Sequence, residues 1–359
     1  MTLADDDNSA GTAEQDTAPP DDRPHSLPAV LDRRPDDPAT RPSLSVVIPT
    51  LNEADHVADC LDSVLRACRP VDSTEVVLVD SNSTDETVVI AREYPITILR
   101  IDDDAYTTPG AGRYVGGLAA RGEKILFVDG DTELTRGWLT DAMALVAEDR
   151  VAAVDGHLNA CGATTPRPIQ APHGVMLYDA TVLDKIGGFD PFLRGYEDVD
   201  LGLRAGAAGY ERVRLPAVVA EHARPTGVSE VRRRWQNDYF TGIGQTARKH
   251  LRSPTTLAKL AVRKWDLMAF LGWCSLGVVS ALVALPASAA WTVATALMFV
   301  VDAAWEGVSG ARERWLRYVV AWLGIARGLL GGRRSPESFP LDTVTVVATA
   351  PPTHPKAPS

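Results

Sequence analysis

The segment Lys124-Ile-Leu-Phe-Val-Asp-Gly-Asp131 places four apolar residues directly before two carboxylates that are separated by one glycine. A continuous apolar run of this length, bounded by polar residues, is typical of a strand buried on both faces of a sheet. In open α/β sheets, ligands bind beyond the carboxyl ends of such strands. Asp129 and Asp131 would repel each other there unless a cation or a hydrogen-bond donor lies between them. The segment therefore indicates either a site for a divalent cation and a diphosphate or a solvated Asp-Gly turn.

Short apolar strands and amphipathic helices alternate around this segment, which predicts an α/β fold with a mostly parallel sheet and helices on both faces. A second strand ends in a carboxylate, Asp80, which strengthens the prediction of a site at that edge. The predicted strands are Leu44–Ile48, Glu75–Val79, Ile96–Leu99, Lys124–Val128, Val151–Val154, His173–Tyr178 and Val213–Ala220. The predicted helices are Ala54–Ala67, Thr87–Tyr94, Gly112–Arg121 and Val199–Ala208.

The chain carries 36 basic and 47 acidic side chains, a formal net charge of −11, which argues against general nucleic-acid binding. Composition also shifts sharply along the sequence, and the shifts predict six segments. They are a disordered acidic tail (1–42), an α/β domain (43–225), a basic amphipathic segment at a membrane interface (226–266), an apolar helical hairpin (267–302), an amphipathic interfacial helix (303–334) and a flexible tail (335–359).

The apolar hairpin is predicted from Leu267 to Val301, where no residue is charged and Pro286 divides the run in two. About 20 apolar residues span a bilayer, so the first half is long enough to cross and the second is marginal. Both flanks are basic, and by the positive-inside rule both ends face the cytoplasm, as does the α/β domain. The alternative is a pair of helices buried inside a soluble domain.

Four motifs in order now define a resemblance. They are Ser45-Val-Val-Ile-Pro-Thr-Leu-Asn-Glu53, Val79-Asp-Ser-Asn-Ser-Thr-Asp85, Phe127-Val-Asp-Gly-Asp131 and Tyr196-Glu-Asp-Val-Asp200. Together they resemble the family 2 glycosyltransferases, which have the GT-A fold, a Rossmann-like sheet with flanking helices. The apolar C-terminal part resembles membrane-associated members that build lipid-linked glycans in archaea and bacteria.

The resemblance implies a donor site for a nucleoside-diphosphate sugar. Pro49, Leu51 and Glu53 would lie beside the base and ribose, and Asp80 would accept a hydrogen bond from the base. A helix-capping role in the turn is the alternative for Asp80. Arg113 would contact phosphate, although Tyr114 follows it where the family often has Asn.

The resemblance also implies a cation, Mn²⁺ or Mg²⁺, held against the diphosphate by Asp129 and Asp131 of an Asp-x-Asp motif. His222 follows the last predicted strand, and some GT-A enzymes have a histidine near this point that joins the metal. A structural role is the alternative for His222. A second histidine, His173, is a candidate for the acceptor side of the site.

Catalysis by inversion is the expected chemistry. Asp198 matches the family's catalytic base, which would take a proton from an acceptor hydroxyl. Glu197 would orient the acceptor or support Asp198. The pair Arg234-Trp235 resembles the end of the Gln-x-x-Arg-Trp motif of processive members, but Val231 replaces the glutamine. We therefore interpret residues 232–235 as a membrane-surface anchor.

The sequence thus predicts a membrane-associated hexosyltransferase that moves one sugar to a lipid-linked polyprenyl or dolichyl acceptor. Two alternatives stay open. One is a polyprenyl-phosphate or dolichyl-phosphate sugar synthase, in which a phosphate is the nucleophile. The other is a catalytically silent membrane partner in a glycan assembly complex.

Overall fold

The computed structural model describes residues 40–221 and 228–350. The acidic tail predicted at the N-terminus falls, for residues 1–39, outside the described residues. The strands are β1 (Leu44–Thr50), β2 (Thr74–Asp80), β3 (Thr97–Ile101), β4 (Lys124–Phe127), β5 (Glu133–Leu134), β6 (Val151–Leu158), β7 (Arg167–Pro168), β8 (Met176–Asp179), β9 (Glu211–Glu221) and β10 (Val344–Ala348).

The helices divide into a group that packs on the sheet and a C-terminal group that extends from it. The first group is α1 (Val57–Ala67), α2 (Thr87–Ala91), α3 (Pro109–Ala119), α4 (Leu139–Val146), α5 (Ala180–Lys185) and α6 (Glu197–Ala207). The second is α7 (Val228–Gln236), α8 (Tyr239–Lys249), α9 (Pro254–Arg263), α10 (Trp265–Val283) and α11 (Leu285–Leu330).

One mixed sheet holds all ten strands in the order β10-β3-β2-β1-β4-β8-β6-β9-β5, with β7 paired to β9. The predicted parallel arrangement is confirmed for β3, β2, β1 and β4. Beyond β4 the sheet becomes mixed, because β8 runs antiparallel to both β4 and β6. The apolar side chains of β1, β2 and β4 are fully buried between helices, as continuous apolar runs in a parallel sheet require.

The parallel register brings the predicted polar strand ends to one edge. Thr50 at the end of β1 pairs with Asp80 at the end of β2, and Val47 of β1 pairs with Phe127 of β4. The backbone N–H of Val128 donates to the carbonyl of Val47 at 3.0 Å, so the segment carrying Asp129 leaves the sheet beside β1. The sequence order of strands and carboxylates therefore becomes a spatial cluster.

The tail predicted to be flexible from residue 335 is ordered over its first part, and that prediction is wrong there. Strand β10 pairs antiparallel with β3, with Val344 opposite Ile101. Phe339 is 4% exposed and makes edge-to-face contacts with Tyr106 and Tyr114 at centroid distances of 5.6 and 5.7 Å. The buried aromatic ring and the strand pairing supply contacts that the Pro- and Thr-rich composition did not indicate.

Two helices are long and apolar enough to cross a membrane. Helix α10 (Trp265–Val283) contains a stretch of 18 residues with mean hydropathy 1.8, and α11 (Leu285–Leu330) contains one with mean hydropathy 1.5. Their apolar side chains are largely exposed, with Leu282 at 81% and Leu285 at 85%, so the described residues do not bury them as a core pair. Gly307 interrupts α11 with φ 76° and ψ 161°, which separates the apolar half from the amphipathic half close to the predicted boundary at residue 303.

The basic segment predicted at a membrane interface (226–266) forms helices that pack within the protein. Helix α8 packs against the second half of α11, and Phe240 and Ile243 are buried with Ala321 and Ile325 in that contact. This packing holds the C-terminal helices against the α/β domain and places parts of α7 and α9 over the carboxyl edge of the sheet.

Candidate functional site

A cleft of about 750 Å³ opens at the carboxyl edge of the parallel strands. One wall is formed by the ends of β1 and β4, and the other by the start of α6 together with α7 and the junction of α9 with α10. The predicted residues that line it are Pro49, Leu51, Glu53, Arg113, Asp129, Asp131, His173, Glu197 and Asp198. The cleft therefore brings together most of the residues that the sequence predicted for this site. Asp80 does not line it, and His222 lies outside the described residues.

Three carboxylates meet on the strand wall of the cleft. Burial, together with the nearby negative charges of Asp131 and Asp129, raises the pKa of Glu53 to about 7. Gly130 allows this approach, since a Cβ there would lie 2.7 Å from Thr50 Cγ2 and 3.4 Å from Glu53 Cγ. Crowded acids of this kind are stabilised by a positive charge placed among them.

The donor set of the cleft fits a hard divalent cation that shares its ligands with a substrate. Within the described ranges, no group of three or more His, Cys, Asp or Glu side chains forms a complete protein-only metal site. Mg²⁺ is commonly bound by one or two carboxylates with substrate phosphates completing the shell. The two carboxylates Asp129 and Asp131 match that chemistry. His222, the predicted additional ligand, lies outside the described residues.

Arg113, for which a phosphate contact stays a prediction, forms two ion pairs within the protein. It is 6% exposed, and its two terminal nitrogens form ion pairs with Asp129 and with Glu197, the latter at 2.5 Å. These carboxylates hold the guanidinium in its charged form and raise its pKa despite its burial. Arg113 joins the strand wall of the cleft to the helix wall, because its two terminal nitrogens each pair with a carboxylate. Neither terminal nitrogen is left without an ion-pair partner.

The acidic pair Glu197–Asp198 begins α6. Tyr196, just before it, has the left-handed conformation with φ 64°, which is unusual for a bulky residue and is typical of functional sites. Glu197 is 7% exposed and faces Arg113, whereas Asp198 is half-buried and lines the cleft. Burial raises the pKa of Asp198, although the charge of Arg113 acts in the opposite direction. Burial likewise raises the pKa of Glu197 to about 7.

Asp80 lies beneath the cleft and not on its surface. It is fully buried, and its Oδ2 accepts a hydrogen bond from the N–H of Ser83 at 2.9 Å. Its Oδ1 is buried without a hydrogen-bond partner in the part of the chain that the structure describes. Burial raises the pKa of Asp80. A contact between Asp80 and a nucleotide base stays a prediction, and the buried, unpartnered oxygen is the acceptor available for it.

Several cations of the cleft were missed as site residues. Arg233 is paired with Glu230 at 2.8 Å, and the charges of Asp131 and Glu53 contribute to raising its pKa, so it faces the carboxylate cluster. Residues 232–235 had been interpreted as a membrane-surface anchor, and Trp235 is indeed 42% exposed. Their basic run was visible in the sequence, but their position depends on the path of the chain after β9.

A second missed group lies beside Asp198. Arg263 ends α9, and Lys264 directly precedes α10. The ammonium of Lys264 lies 5.4 Å from the ring centroid of Tyr196, and the charge of Arg263 acts to lower the pKa of Asp198. Burial lowers the pKa of Lys264, and the neighbouring charges of Arg263 and Arg234 add to this effect. The helix wall of the cleft is thus cationic at the point where the first apolar helix begins.

His173 lines the cleft within a buried polar cluster. Arg214 donates two hydrogen bonds to Asp155, at 2.8 and 2.6 Å, and its Nη2 lies 3.0 Å from His173 Nε2. The backbone N–H of His173 also donates to Asp155 at 3.1 Å. These contacts hold the imidazole of His173 in the lining of the cleft.

The cleft thus holds the carboxylates of Asp129 and Asp131 together with the acidic pair Glu197 and Asp198. Residues 45–196 match the model of Glycosyl transferase family 2. The match covers 152 of the 359 residues, and it supports a hexosyltransferase that carries a family 2 domain.

Two curated relatives agree with this assignment. Glycosyltransferase AglE of Haloferax volcanii is 26% identical over 212 residues, which cover 53% of this chain and 70% of the relative. The poly(ribitol-phosphate) beta-N-acetylglucosaminyltransferase TarS of Staphylococcus aureus is 33% identical over 108 residues, but the match spans 29% of this chain and 19% of TarS.

Solved structures share the fold. The mannosyltransferase PcManGT of Pyrobaculum calidifontis, solved with GDP-Man and Mn²⁺, has a TM-score of 0.60 at 22% identity and covers 84% of this chain and 92% of its own. Residues 1–349 of S. aureus TarS give a TM-score of 0.50 at 20% identity, covering 80% of this chain and 89% of that one. At these identities the likeness establishes the fold.

Proposed function

We propose that this chain transfers one hexosyl group, with inversion, from a nucleoside-diphosphate sugar to a lipid-linked polyprenyl or dolichyl acceptor at the cytoplasmic face of a membrane. One observation carries the proposal. A single cleft contains the carboxylates Asp129 and Asp131, the candidate base Asp198 and the cationic residues Arg263 and Lys264. The exposed apolar helix α10 begins directly after Lys264.

The donor would lie along the strand wall. Pro49, Leu51 and Glu53 at the end of β1 would border the base and ribose, and Ser81 lines the same part of the cleft above the buried Asp80. We assign the diphosphate contact to Arg233 in place of Arg113. That PcManGT was solved with GDP-Man and Mn²⁺ supports a donor of this class.

Asp129 and Asp131 would hold Mn²⁺ or Mg²⁺ against the diphosphate. Bound there, the cation supplies neutralisation of the charge on the departing nucleoside diphosphate. Arg113 orients Asp129, because its guanidinium is buried and forms an ion pair with that carboxylate. Arg113 therefore fixes Asp129, one proposed ligand of the cation, and also holds the first residue of α6, Glu197.

Asp198 would act as the base. Its burial raises its pKa, which increases its affinity for the proton of an attacking hydroxyl, and the positive charges of Arg113 and Arg263 act in the opposite direction and favour the ionised form. The attacking oxygen then forms the new bond to the anomeric carbon as the diphosphate leaves from the opposite face, and the proton moves to Asp198 Oδ. Single displacement of this kind inverts the configuration.

A polyprenyl-phosphate or dolichyl-phosphate sugar synthase is the second candidate, and the cations beside Asp198 favour it. An acceptor phosphate is already ionised at neutral pH, so it needs charge stabilisation more than a base. Arg263 and Lys264 at the foot of α10 would supply that stabilisation where a lipid chain enters from the bilayer.

Donor turnover by the purified full chain tests the proposal. We expect hydrolysis or transfer of GDP-linked or UDP-linked hexose that requires Mn²⁺ or Mg²⁺ and stops on chelation. Asp131→Asn should abolish it, and Asp141→Asn, which removes an exposed carboxylate from α4, should not. Activity unaffected by chelator would remove the cation assignment, and absence of nucleotide-sugar binding by calorimetry would favour the silent partner.

Asp198→Asn separates the two enzyme candidates. If a hydroxyl attacks, the variant should lose about 10²-fold or more in turnover, because general base catalysis contributes about 10²–10⁴-fold. If a phosphate attacks, the variant should keep turnover within a few fold of the wild type.

A further inference from the structure

A second cavity, of about 320 Å³, lies beside the catalytic cleft. It is bounded by the 3-10 turn Asp104–Tyr106, by the loop before α6, by the end of α8 and by the chain that leaves α11. Thr108 and Arg194 line both this cavity and the catalytic cleft. We call it the rear cavity. The family motifs contribute none of its charged residues.

The rear cavity is strongly basic. Five cations line it and, among the described residues that do so, Asp190 is the one carboxylate. The cations are Arg194, Arg248, Lys249, Arg333 and Arg334. Two of them are paired with acids, since Lys249 contacts Asp190 at 2.8 Å and Arg194 contacts Asp238 at 3.0 Å. The remaining three give the cavity a net positive charge.

Arg333 and Arg334 are exposed, and in the ranges 40–221 and 228–350 no ion pair engages either of them. Their backbone is nevertheless fixed. Arg248 donates to the carbonyl of Gly328 at 2.9 Å and to that of Gly332 at 2.6 Å, which ties the segment carrying the two arginines to α8. Two unpaired cations on an anchored segment form a preorganised site for an anion.

Aromatic rings form the opposite side of the rear cavity. The guanidinium of Arg334 lies 5.5 Å from the ring centroid of Phe192, and Tyr106 packs edge-to-face on the same ring at 6.4 Å. Phe339 is buried beneath both rings. A guanidinium that contacts an aromatic ring can still bind a bidentate acceptor through its N–H groups.

Helix α11 leads into the segment that carries the arginines, and Leu330, the last residue of that helix, is an apolar side chain that is 87% exposed. Basic pockets at the end of an apolar helix are suited to lipid headgroups. A soluble phosphate would use the same cations without the apolar surface.

We propose that the rear cavity is a second anion site that binds a phosphate-bearing ligand through Arg333 and Arg334, separately from the donor diphosphate. Its ligand carries a phosphomonoester or a diphosphate, either free in solution or as the headgroup of an anionic lipid. The rear cavity is connected to α6, the helix that carries Asp198. Lys249 lines the cavity, and its Nζ donates to Oδ2 of Asp200 in the first turn of α6 at 2.9 Å.

The test uses the full chain in detergent with EDTA, so that the Asp129–Asp131 site holds no cation. In one arm, inorganic pyrophosphate is titrated by calorimetry. In the other, dihexanoyl phosphatidic acid is titrated below its micellar concentration, with dihexanoyl phosphatidylcholine as the uncharged reference. Stronger binding of pyrophosphate identifies a soluble ligand, and stronger binding of phosphatidic acid identifies a lipid headgroup.

The double variant Arg333→Ala/Arg334→Ala should weaken binding at least about tenfold, since charged hydrogen bonds contribute about 1.5–3 kcal/mol each. The matched variant Arg69→Ala/Arg92→Ala removes two exposed arginines elsewhere and should leave binding unchanged. If the alanine variant melts early, Arg333→Lys/Arg334→Lys serves instead and should bind within a few fold of wild type. No binding in either arm, or equal weakening by both alanine variants, overturns the proposal.

Discussion

Removing the charge of Arg113 should destabilise the fold and disconnect the two walls of the cleft. Its guanidinium is 7% exposed and lies between Asp129 and Glu197, whose side chains are 36% and 9% exposed. Breaking a buried ion pair by deleting one partner costs about 3–5 kcal/mol, because an uncompensated charge remains. Asp129 can turn toward water, so we discount its share and expect about 3 kcal/mol for Arg113→Met.

A loss of that size should lower the midpoint of thermal unfolding by roughly 6–12 °C for a domain of this size. Differential scanning fluorimetry of the detergent-solubilised chain measures it. Arg66→Met is the matched control, since Arg66 forms an exposed ion pair with Asp62 at 3.8 Å and should change the midpoint little. The double variant Arg113→Met/Glu197→Gln should recover much of the loss, because the buried carboxylate is then neutral.

The effect should depend on pH in a definite direction. The pKa of Glu197 is about 7 in the folded chain, above its ordinary value near 4.5, so protonation favours the folded state. Without Arg113 that pKa rises further, and at low pH Glu197 is neutral and needs no partner. The penalty of Arg113→Met should therefore be small at pH 6 and grow as pH rises through 7 to 8.5. A midpoint equal to that of Arg66→Met, or a penalty that does not grow with pH, would refute the buried-bridge argument.

Three further predictions concern packing, electrostatics and chemistry. Phe339→Ala should cost about 3–5 kcal/mol of unfolding free energy, measured by denaturant titration, whereas Val346→Ala on the exposed face of β10 should cost less than about 1 kcal/mol; equal effects would contradict the ordered C-terminal segment. Asp200 is fully buried among Arg204, Lys249 and His250, which hold its pKa well below its usual range, so its stabilisation is present above about pH 4 and is lost as pH falls further; the stability gap to Asp200→Asn should close in acid and stay open at pH 7. Glu197→Gln should reduce turnover less than Asp198→Asn in the same assay if a hydroxyl is the nucleophile, because Glu197 faces Arg113 while Asp198 faces the cleft.

The sequence was sufficient for the features that depend on local periodicity. The apolar runs that became β1, β2 and β4 end where their polar residues begin, and parallel pairing then forces Asp80 and Asp129 to one edge. The antiparallel insertion of β8 between β4 and β6 could not be predicted, because strand order beyond a βαβ unit depends on long-range packing. The membrane-length helices followed from the uncharged run, and Gly307 interrupts α11 between its apolar half and its amphipathic half.

The less predictable part of the site came from residues far apart in sequence. Arg113 matched a phosphate-binding position, but only the fold shows that Glu197, 84 residues later, occupies its second amino group. Arg233, Arg263 and Lys264 belonged to a basic run whose composition also fits a membrane anchor. Their approach to Asp131 and Asp198 depends on how α8 packs on α11, which no local pattern specifies.

Product analysis by mass spectrometry tests the central claim most directly. The purified chain is incubated with a set of nucleoside-diphosphate hexoses, Mn²⁺ and a native lipid extract in nanodiscs, alongside Asp131→Asn and Asp141→Asn. The account predicts a lipid whose mass increases by one hexosyl unit, formed by the wild type and by Asp141→Asn but not by Asp131→Asn or in the presence of EDTA. A product formed equally well with EDTA, or transfer only to water or protein with every lipid tested, would contradict it.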